Sequence, residues 1–267
     1  MFADGTGALL GRIGSLEVRL AEDEAEVRAA QELRYSVFYD ELGATKSAGH
    51  VAERRDVDRF DAVCDHLVVV DRQASAIVGT YRLLRQDAAG AAGGFYSGEE
   101  FEIGALVARH PRLRFLELGR SCVLPQYRSR RTIELLWQGI WTYLTRHGVD
   151  VMAGCASFQG TDPADHAQAL TYLARTCRAP AEWDVRAVGG RYHAMDLLPA
   201  DALDARAAMA ALPPLVKGYL RVGARVGDGC VVDHDFGTVD VFLVMPVRDI
   251  AARYVSYYGS EHGRFAA

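Results

Sequence analysis

The chain has 267 residues, half of them apolar and 24% charged, and its 30 Lys and Arg against 35 Asp and Glu leave a formal net charge of −5. That length makes one large domain or two small ones with room for a sizeable core, and the composition excludes a disordered, collagenous or coiled-coil chain. The apolar runs are short, as in Leu67-Val68-Val69-Val70, far below the ~20 residues that span a bilayer.

No basic stretch at the start leads into an apolar one, so no secretory signal is expected. The cysteines (Cys64, Cys122, Cys155, Cys177, Cys230) are odd in number and scattered, with no C-x-x-C pair. That pattern argues against a zinc site or disulfide framework and for the reducing cytosol.

Residues 15–20 alternate polar and apolar, as a half-buried strand does, and 22–42 read as a helix. Glu22, Asp23, Glu24 and Glu26 crowd its first turns, Val27, Ala30, Leu33, Val37 and Phe38 recur at helical spacing, and Gly43 stops it. The polar, patternless stretch 44–61 reads as a surface loop. His66–Val70 and Ala76–Leu84 make a predicted hairpin, followed by a Gly/Ala loop over 87–98 that ends near Phe95 and Tyr96.

Phe115–Val123 is a strand ended by Pro125, Thr132–His147 a helix and Val149–Ala156 a strand; Asp162-Pro163 then caps a helix to about Cys177. In the last third, Ala200–Leu212 and Pro213–Arg225 read as helices, Val239–Met245 as a strand and Val247–Tyr257 as a closing helix. Along the second of those helices Lys217, Arg221 and Arg225 recur every four residues. The order predicts an α/β (α+β) fold, a mixed central sheet flanked by helices with a C-terminal helical and strand extension.

Between Arg109 and Arg131 stand seven arginines and one acid, Glu117. Such clustering in an acidic protein points to an anionic partner. The segment runs from a strand through an Arg-rich loop into a helix, where loop amides and a helix N-terminus can cradle a phosphate. Glu117, flanked by Leu116 and Leu118, is expected to be desolvated, which raises a carboxyl toward the range of a base.

Alternation sets Glu117, Gly119 and Ser121 on one face and Arg120 and Cys122 on the other, unless Gly119 hosts a bulge. Asp56, Asp58, Asp61 and Asp65 with His66 form an acidic loop suited to an ammonium group more than to a metal, since no Gly-centred calcium-type spacing is present. Val232-Asp233-His234-Asp235 reads as a turn. His66 and Asp71 have an H-x-x-x-x-D spacing, but an intervening strand holds them roughly 16 Å apart on opposite faces, so they form no dyad. Cys122 reads as a small buried hydrophobe.

Taken in order, Arg34…Val37-Phe38…Glu41-Leu42, Asp58…Asp61…Asp65-His66, Gly79-Thr80-Tyr81-Arg82-Leu83-Leu84, Phe95-Tyr96-Ser97…Phe101 and Glu117-Leu118-Gly119-Arg120-Ser121 form a pattern. It resembles the ornithine-lipid N-acyltransferases, often labelled hemolysin-like, of the GNAT superfamily. It is similar more distantly to the acyl-homoserine-lactone synthases, from which it departs in having Gly119 and in lacking Trp after Leu42-Gly43. The C-terminal stretches Leu212–Ala224 and Phe236–Asp240 look like those of the lipid-forming branch.

The resemblance implies a GNAT-like core over 1–198 with residues 199–267 packed on it. It implies transfer of a 3-hydroxyacyl chain from acyl carrier protein to the α-amine of ornithine, giving lyso-ornithine lipid. Glu117 would be the base, with Arg120 and Ser121 beside it. Arg34, Phe38, His66, Arg82 and Phe95 would shape the substrate cleft, with Asp61 and Asp65 on the amine side. Cys122, Val123, Arg128, Arg130 and Arg131 would meet the carrier.

No metal and no tightly bound cofactor are implied; the 4′-phosphopantetheine thioester is a co-substrate, and nucleic acid is not a partner. Gln126–Arg131 contains no glycine, whereas GNAT enzymes that use coenzyme A bring bare backbone onto its pyrophosphate, so a carrier-bound donor is expected. The expected location is cytoplasmic, with transient contact at the inner membrane surface through Pro213–Arg225. Other readings are an N-acyl glycine or other acyl-amino-acid synthase, an acyl-homoserine-lactone synthase, or a non-catalytic membrane-interacting protein; the last should show a long apolar segment or an export signal.

Overall fold

The structure, a computed structural model, describes residues 9–45 and 48–250. Compactness divides these into two units that interleave along the chain, 9–92 with 117–149, and 93–116 with 150–250.

In the first unit β1 (Gly11–Ile13), β2 (Leu16–Leu20), β3 (Asp65–Asp71) and β4 (Ala76–Arg85) pair antiparallel in that order, and the Glu117–Val123 part of β5 (Phe115–Val123) follows β4. The β3–β4 register sets Asp65 opposite Leu83 and His66 opposite Arg82. Neighbours along a strand face opposite ways, so Asp65 and His66 serve different faces of the sheet.

Helix α1 (Glu24–Tyr35) starts at Asp23, whose carboxylate accepts the Glu26 N–H, and packs against β3 and β4. It runs into a π-helical turn, Ser36–Glu41, before Gly43 at φ 77 ends the segment. The expected loop over 44–61 contains a short helix, α2 (Ala48–Glu53), and the expected Gly/Ala loop begins with another, α3 (Gln86–Ala89). Helix α5 (Arg130–His147), capped by Ser129 and stopped by left-handed Gly148, lies on β1, β2 and β3. A Cβ at Gly139 would come within 2.6 Å of Val18, so only glycine allows that approach of helix to sheet.

The second unit holds α4 (Ile103–Arg109), β6 (Val151–Gln159), α6 (Ala167–Thr176), α7 (Ala205–Ala211), α8 (Pro214–Val222), β7 (Arg225–Asp233) and β8 (Thr238–Pro246). β8 pairs antiparallel with both β6 and β7. Helix α8 ends at Val222, Gly223 takes φ 116, and Arg225 already belongs to β7.

Lys217, Arg221 and Arg225 therefore do not form one helical stripe, a correction to the expected membrane-facing helix. Its apolar side, Val216, Tyr219 and Val222, is buried. Of the expected closing helix, Val247–Asp249 is a single 3-10 turn, and 251–257 lie outside the described residues. No helix of the described residues is long and apolar enough to cross a membrane.

Candidate active site

Strand β5 carries Glu117 between the buried Leu116 and Leu118, and Glu117 as a residue is 3% exposed. Its charge reaches Cys64: burial pushes that thiol up to about 12, with Asp61, Asp58 and Glu117 adding to the shift and Arg82 opposing it. Two residues beyond Leu118, Arg120 sits at φ 50. A left-handed residue inside a strand breaks the alternation of faces. The sequence placed that break at Gly119; the backbone puts it one residue later.

The break sends the Arg120 guanidinium into the acidic loop, where it reaches Asp56 at 3.2 Å and Asp58 at 3.3 Å. Arg34, fully buried on α1, donates to Asp56 at 2.8 Å and to both oxygens of Asp61 at 2.8 and 3.0 Å. Arg82 on β4 donates to Asp58 at 2.5 Å and lies 3.5 Å from Asp61. Tyr39, on the π-helical turn, adds its hydroxyl to Asp56 at 3.0 Å. Three guanidiniums thus interlock with three aspartates.

Burial alone would raise Asp56 and Asp58, but Arg120, Arg34 and Arg82 hold Asp56, and Arg82 and Arg120 hold Asp58, below the usual carboxylate range. His66 donates Nε2–H to the Asp61 carbonyl at 3.0 Å, and burial depresses its pKa, so the ring is neutral. Two buried nitrogens of this network, Arg34 Nη1 and His66 Nδ1, have no hydrogen-bond partner among the described residues.

Asp65 belongs elsewhere. On the opposite face of β3 it pairs with Arg85 at 3.2 Å and accepts a short hydrogen bond from Tyr143 of α5, beside His147. Cys122 packs with Leu33 and Val37, against Phe38, and burial pushes its thiol up to about 12, so it is a hydrophobe rather than a thiolate. Ser121 is half-buried and Val123 buried.

The Val123 carbonyl accepts from Arg128, whose other nitrogens fork onto Glu41 at 2.6 Å each. Arg130 pairs one turn along with Glu134, and Arg131 is exposed. Within the first unit, Arg120, Arg128 and Arg130 of the arginine-rich segment are thus matched by acids. Phe95 belongs to the second unit, buried just before the 3-10 turn Tyr96–Glu99.

Sequence reasoning missed Tyr39, hidden by the π-helical register, and Cys64, which carries no motif. It also missed a carboxylate cluster of the second unit, Glu100, Asp233 and Asp240, of which only Asp233 had drawn notice, as part of a turn. That role is real as well: Asp233 accepts the backbone N–H of Asp235 and Phe236 at 2.8 and 3.0 Å.

Comparison with known proteins gives the site its context. An acetyltransferase (GNAT) domain matches residues 33–138, the span that contains the whole arginine–aspartate network. An N-acyl amino acid synthase from uncultured soil microbes shares the fold at a TM-score of 0.51 and 9% identity, over 88% of this chain and 92% of its own. An L-ornithine Nα-acyltransferase from Brucella abortus is 55% identical over 98% of this chain and 95% of its own length. The chain belongs to that family. A member from Rhodobacter capsulatus is 41% identical over 91% of this chain and 95% of its own. An acyltransferase fold of the GNAT type and membership of this family are thus established together.

Proposed function

We propose that the protein transfers a 3-hydroxyacyl chain from the phosphopantetheine of acyl carrier protein to the α-amine of L-ornithine, giving lyso-ornithine lipid. The observation that carries this reading is identity of 55% to an L-ornithine Nα-acyltransferase across nearly the full length of both chains. The amine nitrogen attacks the thioester carbonyl and forms the C–N bond. The C–S bond then breaks, and the thiolate leaves with a proton.

The amine must first be neutral, and a gap of ~1–3 units between its pKa and neutral pH costs roughly 1.5–4 kcal/mol. Glu117 is the group to take that proton, directly or through a water, because it is the buried carboxylate of β5 beside the break in the strand. A backbone amide turned by left-handed Arg120 is the kind of donor that stabilises a tetrahedral oxyanion. No covalent enzyme intermediate is required, since a thioester is already activated.

Arg34, Arg82 and Arg120 tie the acidic loop to α1, β4 and β5 and so keep this face in place. Arg131, exposed at the start of α5, and Arg130, exposed though paired with Glu134, are cations an acidic carrier could meet.

The test is purified protein with 3-hydroxyacyl carrier thioester or acyl-coenzyme A, offered ornithine, glycine and other amino acids, with products read by mass spectrometry. N-acylornithine from the carrier thioester is expected; acylglycine as main product, or efficient use of acetyl-coenzyme A, overturns the reading. Glu117→Gln should lower turnover by about 10²–10⁴-fold while melting like the wild type. Near-normal turnover in that variant removes Glu117 as the base. Reversing Arg130 and Arg131 to Glu should raise KM for the carrier thioester more than it lowers kcat, and the second-order rate should fall with salt.

A further inference from the structure

The π-helical turn Ser36–Glu41 has no task in the chemistry above, yet one of its side chains reaches the network beside Glu117. The Leu42 N–H bonds to the Val37 carbonyl five residues back, so the turn is wider than that of an α-helix. Residues five apart on an α-helix point about 140° from one another. Across the widened turn Arg34 and Tyr39, five apart, instead meet the same carboxylate, that of Asp56. Tyr39 is buried and stacks on Tyr35, ring centroids 5.2 Å apart, with the Arg54 guanidinium over the Tyr35 ring. Packing thus fixes the ring and aims its hydroxyl.

Asp56 divides its two oxygens. Oδ1 accepts the Tyr39 hydroxyl at 3.0 Å, and Oδ2 accepts Arg34 at 2.8 Å and Arg120 at 3.2 Å. With Oδ1 held by Tyr39 the carboxylate is kept from turning, and Oδ2 stays toward the two guanidiniums. Arg120 in turn is the left-handed residue of β5, at φ 50, three positions from Glu117. A side-chain-bearing residue in that region is strained, and such strain persists only where the surroundings enforce it. The ion pairs of Arg120 with Asp56 and Asp58 supply that enforcement.

We propose that Tyr39 is a positioning residue of the acyl transfer, an inference that rests on the reading of Glu117 as the base. Through Asp56 it holds Arg120, and with it the left-handed break in the strand that carries Glu117. Tyr39 itself acts at a distance from the reacting atoms. Removing its hydroxyl lets Asp56 turn, frees Arg120 to relax toward ordinary strand geometry and misplaces the amides around it. That misplacement costs turnover rather than binding, since an oxyanion donor serves a charge that exists only in the transition state.

The test places Tyr39→Phe, which keeps the ring and its stack, in two backgrounds of the full chain, wild type and Arg120→Gly. In the wild type it should lower kcat by about tenfold and leave KM for ornithine and for the carrier thioester within about twofold. Glycine takes a left-handed φ without strain, so in the Arg120→Gly background the same substitution should change kcat by less than about twofold. Of the single variants at the break, Arg120→Gly should turn over faster than Arg120→Ala, which has neither the guanidinium nor the freedom of glycine. The amide resonances of Gly119 and Ser121 in isotope-labelled protein, a readout independent of turnover, should shift in Tyr39→Phe.

Near-normal kcat in Tyr39→Phe, an equal loss in both backgrounds, or unmoved amides overturns the inference. A loss of kcat matched by an equal fall in the folded fraction assigns Tyr39 to stability alone and overturns it as well. Were the wild type not to acylate ornithine, the proposed function would fall, and the Gly119 and Ser121 resonances would still decide whether Tyr39 governs the break.

Discussion

In the first unit Asp56, Asp58 and Asp61 each lie between guanidiniums; in the second, Glu100, Asp233 and Asp240 converge on one another with a single half-exposed arginine touching Glu100. The residue types are nearly the same and the burial is similar, yet the electrostatic outcome is opposite. Asp56 and Asp58 are held below the usual carboxylate range, whereas Glu100 rises to about 7. Matched charges make a frame whose partners are already inside the fold. Like charges brought together in a buried place make each costlier to ionise. The sequence pointed to an amine site at the acidic loop, but there the carboxylate oxygens are committed to arginines.

The largest effect should come from breaking the matched side. Asp56→Ala leaves Arg34 fully buried without its Nε partner, and removal of one partner from a buried ion pair costs about 3–5 kcal/mol. Urea unfolding should report that loss; a cost below 1 kcal/mol would show that the network does not hold the unit together.

A smaller, pH-dependent effect is expected on the unmatched side. The folded pKa of Glu100 is raised, so its contribution to stability is intact below the ordinary carboxylate pKa and is lost as pH climbs through about 7. Glu100→Gln should therefore melt a few degrees higher than the wild type at pH 8, on the order of 1–3 kcal/mol, and nearly match it at pH 4. A melting difference independent of pH would refute the assignment.

Smallest and broadest is the acid limb of the wild type. Asp56 and Asp58 have depressed pKa values, so what they contribute is present above the unfolded value and fades as pH falls below about 4. Maximal stability of the ligand-free chain should then fall between about pH 4 and 6, measured by thermal melts across pH.

Legibility in the sequence followed how local the determining physics was. The strand Phe115–Val123 was readable to its ends because a run of apolar residues meets Pro125, and α5 was readable from its apolar stripe and terminal glycine. Strand β7 was not, because Gly227-Asp228-Gly229 looks like a turn. In the fold a Cβ at Gly227 would overlap the Val185 carbonyl and one at Gly229 the Tyr192 ring, so these glycines serve close packing inside a strand. Helix α4 was lost because seven residues carry too little periodicity.

Within the candidate site, Arg34, Asp61, His66 and Arg82 come together on one face as a pattern of residues could suggest, while strand parity sends Asp65 to the other. The carboxylate cluster joins residues more than a hundred positions apart, and no local pattern marks such a meeting.

Arg120 carries a consequence for how this chain can change over generations. Its backbone, at φ 50, asks for glycine, while its side chain is needed by Asp56 and Asp58. A mutation to Gly eases the backbone by about 1–2 kcal/mol and removes one of the three guanidiniums in the same stroke; one to Ala keeps the backbone strain and loses the guanidinium as well. Neither single step is uphill in fitness if the network matters. The residue is held by two incompatible demands, one on its backbone and one on its side chain.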